Sequence, residues 1–91
     1  MHHAISKRIH DALEKHKNLK GVYKYRDNRF VTQAIDKAAH NGYEKWHQAM
    51  ERQVIDWLDR KNFATPAEFE EYLRYLYRTD KELAPRFPNG L

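Results

Sequence analysis

The chain has 91 residues, which is enough for one domain around a single hydrophobic core. With 41% hydrophobic and 33% charged residues, its composition is that of a folded protein rather than a disordered one. It contains no cysteine, which excludes disulfides and thiolate zinc sites, and no apolar run approaches the roughly 20 residues that span a bilayer. We therefore predict one helical domain over residues 1–91 without a membrane span.

The net charge of +4 is unevenly distributed along the chain. Residues 1–29 contain eight basic and three acidic side chains, whereas residues 30–91 contain nine basic and ten acidic ones. A basic segment on a near-neutral body is typical of proteins that bind phosphate groups or acidic protein surfaces. A purely solubilising surface would give the same pattern.

The first predicted element is a helix from about Ala4 to Lys17. No role is predicted for His2 and His3, which follow Met1. The apolar residues of the helix recur with the helical period and form one stripe, namely Ile5, Ile9, Ala12 and Leu13.

A short irregular stretch is predicted near residues 20–28. Residues 22–26 alternate apolar or aromatic side chains with basic ones, which is a period of two rather than 3.6. Asp27 and Asn28 then favour a turn. The pattern predicts a short extended segment or an ordered loop.

A helical period returns from Phe30 to Lys61, and we favour one long central helix there. Such a helix would be about 45 Å long, which is long for a domain of this size. The weak point is Asn41 and Gly42, because glycine costs about 1 kcal/mol relative to alanine inside a helix. The alternatives are a bend or a junction of two helices at this point, or another helix packed closely against the glycine.

The last long helix has the clearest start signal in the chain. Thr65 is a capping residue, Pro66 suits the first helical position, and Glu68 completes a capping box. We therefore predict an all-α fold, a small helical domain of three to four helices with one long central helix. The core stripe of this last helix is Phe69, Tyr72, Leu73, Leu76 and Tyr77.

Four residues of the central helix form the candidate catalytic group: His40, Glu44, His47 and Glu51. On a continuous helix they lie within a strip of roughly 60°, and each histidine has a carboxylate four residues later. A neighbouring carboxylate raises the pKa of a histidine and orients its ring, as a general acid or base requires. The two histidines would be about 10 Å apart, a tolerable distance for metal-free cleavage of RNA.

Two other interpretations of this strip stay open. The residues would equally suit an ordinary helix surface with i,i+4 pairs, or Glu44 and His47 could bind a metal with a residue from another helix. No metal and no cofactor are predicted, because the sequence lacks a dense ligand cluster and a glycine-rich phosphate loop.

The irregular stretch supplies the candidate substrate-binding residues. Its cations could hold phosphates while its tyrosine rings stack on unpaired bases. The alternative is a loop whose tyrosines pack on the core while its cations stay in solvent. The candidate residues are Lys20, Tyr23, Lys24, Tyr25, Arg26 and Arg29.

Five segments resemble the C-terminal toxin modules of bacterial polymorphic toxins, of the Rhs/YD-repeat or contact-dependent inhibition type. They are HNGYEKWH at 40–47, VIDWL at 54–58, ATPAEF at 64–69, YLR at 72–74 and RFPNG at 86–90. The resemblance implies an effector module of a larger protein, delivered into a target bacterial cell, active in the cytoplasm and neutralised by a cognate immunity protein. Many such modules are nucleases.

The combined prediction is a metal-independent ribonuclease, in preference to a deoxyribonuclease, with RNA as its substrate. The choice of His40 and His47 as acid and base comes from their spacing and not from the resemblance. The alternative prediction is a non-catalytic basic module that binds nucleic acid or another protein.

Overall fold

Helices account for most of the computed structural model, which describes residues 2–40 and 42–91 and leaves out the side chains of His40 and Tyr43. The helices are α1 (Lys7–Glu14), α2 (Tyr43–Arg60), α3 (Pro66–Thr79) and α4 (Leu83–Arg86), with a 3-10 helix at Lys37–His40. Strands β1 (His2–His3) and β2 (Val31–Thr32) form a small antiparallel pair. The predicted small all-α fold, with α2 as its longest helix, is therefore confirmed.

One hydrophobic core joins the helices. It is built from stripes that recur every three or four residues, as helical geometry requires of a face that is buried along its length. None of the described helices is both long and apolar enough to cross a membrane. The main core residues of the three long helices are Ile9, Leu13, Trp46, Met50, Val54, Leu58, Phe69, Leu73, Leu76 and Tyr77.

The predicted start of α3 is confirmed in detail. The Thr65 hydroxyl accepts a hydrogen bond from the Glu68 amide at 3.2 Å, and the Glu68 carboxylate accepts one from the Thr65 amide at 2.9 Å. Pro66 occupies the first helical position, where its missing amide proton costs nothing. Local chemistry alone therefore determines where this helix begins.

The prediction of one helix from Phe30 to Lys61 is wrong. Helix α2 begins at Tyr43, and Gly42 before it adopts a left-handed backbone with φ of 72°. Residues 31–32 belong to β2 instead, and Ile35 is 64% exposed although the helical pattern placed it in the core. A helix of about 45 Å would also exceed the longest dimension of the domain, which is 38 Å.

His2 is part of the core, which corrects the expectation that this residue has no role. His2 pairs with Thr32 across the strand pair and is 4% exposed. Its Nε2 lies 2.5 Å from the hydroxyl oxygen of Tyr77, and its ring stacks on Phe87 with centroids 4.7 Å apart. The first strand therefore closes the core against α3 and α4.

Ser6 connects the start of α1 to the middle of α2. Its hydroxyl oxygen accepts a hydrogen bond from the Ile9 amide at 3.5 Å, which caps α1. The same hydroxyl donates to Oε2 of Glu51 at 2.5 Å. Glu51 is 5% exposed, so water reaches its carboxylate poorly. The hydrogen bond from Ser6 replaces a bond that water would otherwise make to this carboxylate. It also determines how α1 packs along α2.

We predict that Ser6→Ala lowers the free energy of unfolding by about 2 kcal/mol, because it removes a helix cap and a donor to a buried carboxylate. Urea unfolding followed by circular dichroism measures this loss. The control is Thr79→Ala, which removes a hydroxyl from the exposed end of α3 and should change the value by no more than about 0.5 kcal/mol. Equal effects of the two substitutions would contradict the role given to Ser6.

Candidate nucleic-acid interface

His47 and Glu51 lie on the buried side of α2. Nδ1 of His47 is 3.8 Å from Oε1 of Glu51, and the two residues are 7% and 5% exposed. The pKa of His47 is lowered, because burial disfavours the imidazolium more strongly than the Glu51 charge favours it. The Glu51 carboxylate does raise the pKa of this histidine, as expected from the sequence, but burial outweighs this effect, so the net shift is downward.

The rings around His47 belong to the core. The His2 ring lies edge-on to it with centroids 5.7 Å apart, and the Trp46 ring does so at 5.9 Å. A histidine enclosed in this way has little access to a substrate in solvent. These contacts favour a structural role for His47 and Glu51 over the catalytic role suggested by their spacing.

The four residues of the predicted catalytic strip do not lie on one helix. His40 ends the 3-10 helix, whereas Glu44, His47 and Glu51 lie on α2. The side chain of His40 falls outside the described residues. Glu44 is exposed in the first turn of α2, while Glu51 is buried. The continuous helix on which the acid–base pair depended is therefore absent.

Tyr23 is a core residue, so its interpretation as a base-stacking residue is wrong. Its ring is 3% exposed and contacts the rings of Phe30 and Phe69. Its hydroxyl donates to the Glu70 carboxylate at 2.8 Å, with the Pro66 carbonyl oxygen at 3.3 Å. Burial, and then the hydrogen bond with Glu70, raise the pKa of Tyr23 well above its ordinary value.

Arg29 is engaged in the fold of its own loop. Its Nε lies 3.0 Å from Oδ1 of Asp27 and its Nη2 lies 2.8 Å from Oδ2, a two-point contact. These bonds, together with the Lys24 and Arg29 amides, hold the pKa of the buried Asp27 well below its usual range. The guanidinium also lies over the Tyr23 ring, 5.6 Å from its centroid. Arg29 is therefore mainly a structural residue.

The other candidate residues of this stretch are exposed. Lys20, Lys24 and Arg26 face solvent, and Tyr25 is 55% exposed. The stretch is an ordered loop of turns without a strand among its described residues, and the Tyr25 ring packs edge-on to that of His10 on α1. The structure therefore places these cations beside one face of α1.

A groove of about 440 Å³ lies on another face of α1, between this helix and α2. Three exposed cations, Arg8, Lys15 and Lys17, line it together with the carboxylates of Asp11 and Asp59. The remaining lining residues are Ala12, His16, Ile55, Leu58 and Asn62.

His16 holds the chain at one end of this groove. Its Nε2 donates a hydrogen bond of 2.7 Å to the carbonyl oxygen of Lys61, and its Nδ1 accepts one from the Asn18 amide at 3.2 Å. Because His16 is buried, these bonds fix the segment after α1 against the end of α2. The cations on both segments are thereby kept side by side.

A second hollow, of about 250 Å³, adjoins the groove and shares Asn62 with it. Arg60, Lys61 and Phe63 line this hollow. Phe63 is 76% exposed, and Nζ of Lys17 lies 5.8 Å from the centroid of its ring. We call the combined surface the basic groove; its cations are Arg8, Lys15, Lys17, Arg60 and Lys61.

Sequence reasoning did not identify the basic groove, although part of the signal was present. Arg8 and Lys15 are seven residues apart, which puts them on one face of a helix. Lys17 stands at the end of the predicted first helix, where the sequence pattern indicates no further role for it. Phe63 belongs to no periodic stripe, so its exposure became visible only with the loop between α2 and α3 in place.

The chain was compared with protein-family models, curated proteins and solved structures, and none of them matches it. Among the described residues, no group of three or more histidine, aspartate or glutamate side chains is arranged to hold a metal ion. The resemblance to bacterial toxin modules stays a prediction. The exposed charges and rings are therefore the features of the molecule that bear on its function.

We predict that His47 titrates below 6.5, the ordinary pKa of a histidine, in an NMR titration of its ring protons. Since the unfolded chain then binds more protons than the folded one, the free energy of unfolding falls as the pH drops below that value. The free energy of unfolding should therefore decrease from about pH 7.5 to about pH 5, and this decrease should be smaller for His47→Gln than for the parent chain. A pKa at or above 6.5 would restore His47 as a prepared acid or base.

Proposed function

We propose that this domain binds nucleic acid, RNA in the first place, by presenting cations on two faces of α1. The basic groove lies on one face, and Lys20, Lys24 and Arg26 of the loop lie beside another. The observation that carries the proposal is the exposure of the basic side chains in residues 1–29 other than Arg29, which is bound to Asp27. The negatively charged phosphate backbone of a nucleic acid complements the charge of such a surface.

The negative charges of this region offset only part of its positive charge. Of the three acidic residues before position 30, Asp27 is buried and bound to Arg29. At the basic groove, five cations face the carboxylates of Asp11, Asp59 and Glu68. Glu68 is engaged in capping α3 through the Thr65 amide. The groove therefore keeps a positive balance.

The spacing of the cations suits an extended strand. Arg8 and Lys15 lie seven residues apart along α1, which corresponds to about 10 Å. They can therefore contact different phosphates of one strand, and Lys17 after α1 together with Arg60 and Lys61 at the end of α2 adds further cations to the same surface. Phosphate contacts of this kind give affinity without sequence preference.

Cleavage of the bound strand is the second candidate function. It comes from the resemblance to toxin modules, and the contact between His47 and Glu51 is the observation that favours it. On this view the domain is a ribonuclease acting in the cytoplasm of a target cell and neutralised by a cognate immunity protein. The burial of His47 weighs in favour of binding without cleavage.

The test measures the affinity for a labelled RNA from about 50 mM to about 200 mM salt. We predict that the logarithm of the association constant falls linearly with the logarithm of the salt concentration. The double variant Lys15→Ala/Lys17→Ala should reduce the magnitude of this slope by about 1.4, because each phosphate contact to a single strand contributes about 0.7.

The matched control is Lys37→Ala/Lys81→Ala, which removes the same charge from exposed positions outside the basic groove. Its slope should equal that of the parent chain. Equal slopes for both double variants would contradict binding through the groove, and absence of any RNA affinity would remove the proposed function. Intact RNA after long incubation identifies binding alone, and cut RNA identifies the ribonuclease.

A further inference from the structure

We infer that Phe63 and Lys17 form a stacking site for one unpaired nucleobase, and that this site makes the domain prefer single strands over duplexes. The inference rests on the proposed function, since it names the class of nucleic acid that the basic groove accepts. Three features of the described structure support it: the exposure of the ring, the cation beside it and the hollow next to it.

The loop that carries Phe63 is ordered on both sides of the ring. The Lys61 amide donates a hydrogen bond to the Trp57 carbonyl oxygen at 2.9 Å. The Ala64 amide donates one to the Lys61 carbonyl oxygen at 3.1 Å. Ala64 is buried, and Thr65 next to it caps α3. The backbone that carries Phe63 is therefore already ordered, so the loop itself does not have to become ordered when the ring is covered.

Exposure of one phenylalanine would need no special explanation, because single apolar residues are common on protein surfaces. What distinguishes Phe63 is its position among cations. Lys17 lies over one part of the ring, with Nζ 5.8 Å from the centroid. A base stacked on the open part of the ring would place its own phosphate within reach of that ammonium group.

The hollow beside the ring has groups that match the rest of a nucleotide. Arg60 and Lys61 line it and can hold the neighbouring phosphates of the strand. Asn62 lies where the hollow meets the basic groove, and its side-chain amide can both donate to and accept from the edge of a base. The hollow and the basic groove share Asn62, so a strand bound in the groove lies next to the hollow that Phe63 lines.

Selectivity for single strands follows from stacking geometry. In a duplex each base is paired and stacked on its neighbours, so a ring on a protein surface cannot cover its face. An unpaired base exposes that face, and every base has one, so the site discriminates strandedness rather than sequence. Contacts to the phosphates alone would bind single strands and duplexes alike.

The experiment compares a single-stranded RNA of about 12 nucleotides with a duplex of the same sequence, both at one fixed salt concentration. We expect Phe63→Ala to weaken single-strand binding about tenfold and to leave duplex binding unchanged. Phe63→Tyr keeps the ring and should retain the parent affinity. Because the side chain is exposed, all variants should keep the parent's circular dichroism spectrum.

The matched control is Tyr75→Ala, which removes another exposed ring with a cation over it. Tyr75 is 50% exposed, and Cζ of Arg78 lies 6.0 Å from its centroid, but it lies on α3 and does not line the basic groove. Its removal should leave the single-strand affinity unchanged.

The possible failures are distinguishable. Absence of RNA binding by the parent chain overturns the proposed function and this inference together. If the parent binds with salt dependence but Phe63→Ala binds as tightly as the parent, or loses no more than Tyr75→Ala, the stacking site is overturned and the proposed function stands. Equal parent affinity for the single strand and the duplex also overturns the stacking site.

Discussion

The packing of α1 along α2 underlies both the core of this domain and the surface on which the proposed function rests. It is secured at one end by the hydrogen bond from Ser6 to the buried carboxylate of Glu51 and at the other by the bond from His16 to the Lys61 carbonyl. Between these points the apolar stripe of α1 faces the core, so its basic residues face outward. The cations of the groove are therefore positioned by the contacts that stabilise the fold.

Features that depend on neighbours in sequence were predictable, and features that depend on distant residues were not. The capping box at Thr65 and the stripe of α3 are local, and both were predicted correctly. The start of α2 was missed because residues 31–39 continue a helical period, although β2 pairs with β1. The role of His2 depends on Tyr77, which lies 75 residues away. Only the folded chain brings such residues together.

The candidate site shows the same difference between features that depend on neighbours in sequence and features that depend on the fold. The sequence analysis placed the candidate substrate-binding residues before position 30 and gave Tyr23 and Tyr25 the same predicted role. The stretch forms turns rather than a regular extended segment, and one ring is buried while the other is exposed. The interpretation of His47 failed because burial dominates over a carboxylate 3.8 Å away, and burial is not visible in the spacing of residues.

The central claim is that nucleic acid contacts the face formed by α1 and the loop after α2. Amide chemical shifts of the isotope-labelled protein, followed during titration with a single-stranded RNA, test it directly. The account predicts that the largest shifts occur at residues 15–17 and 62–64, on both sides of the groove. Largest shifts at residues 74–78 of α3, or no shifts at saturating RNA, would contradict it.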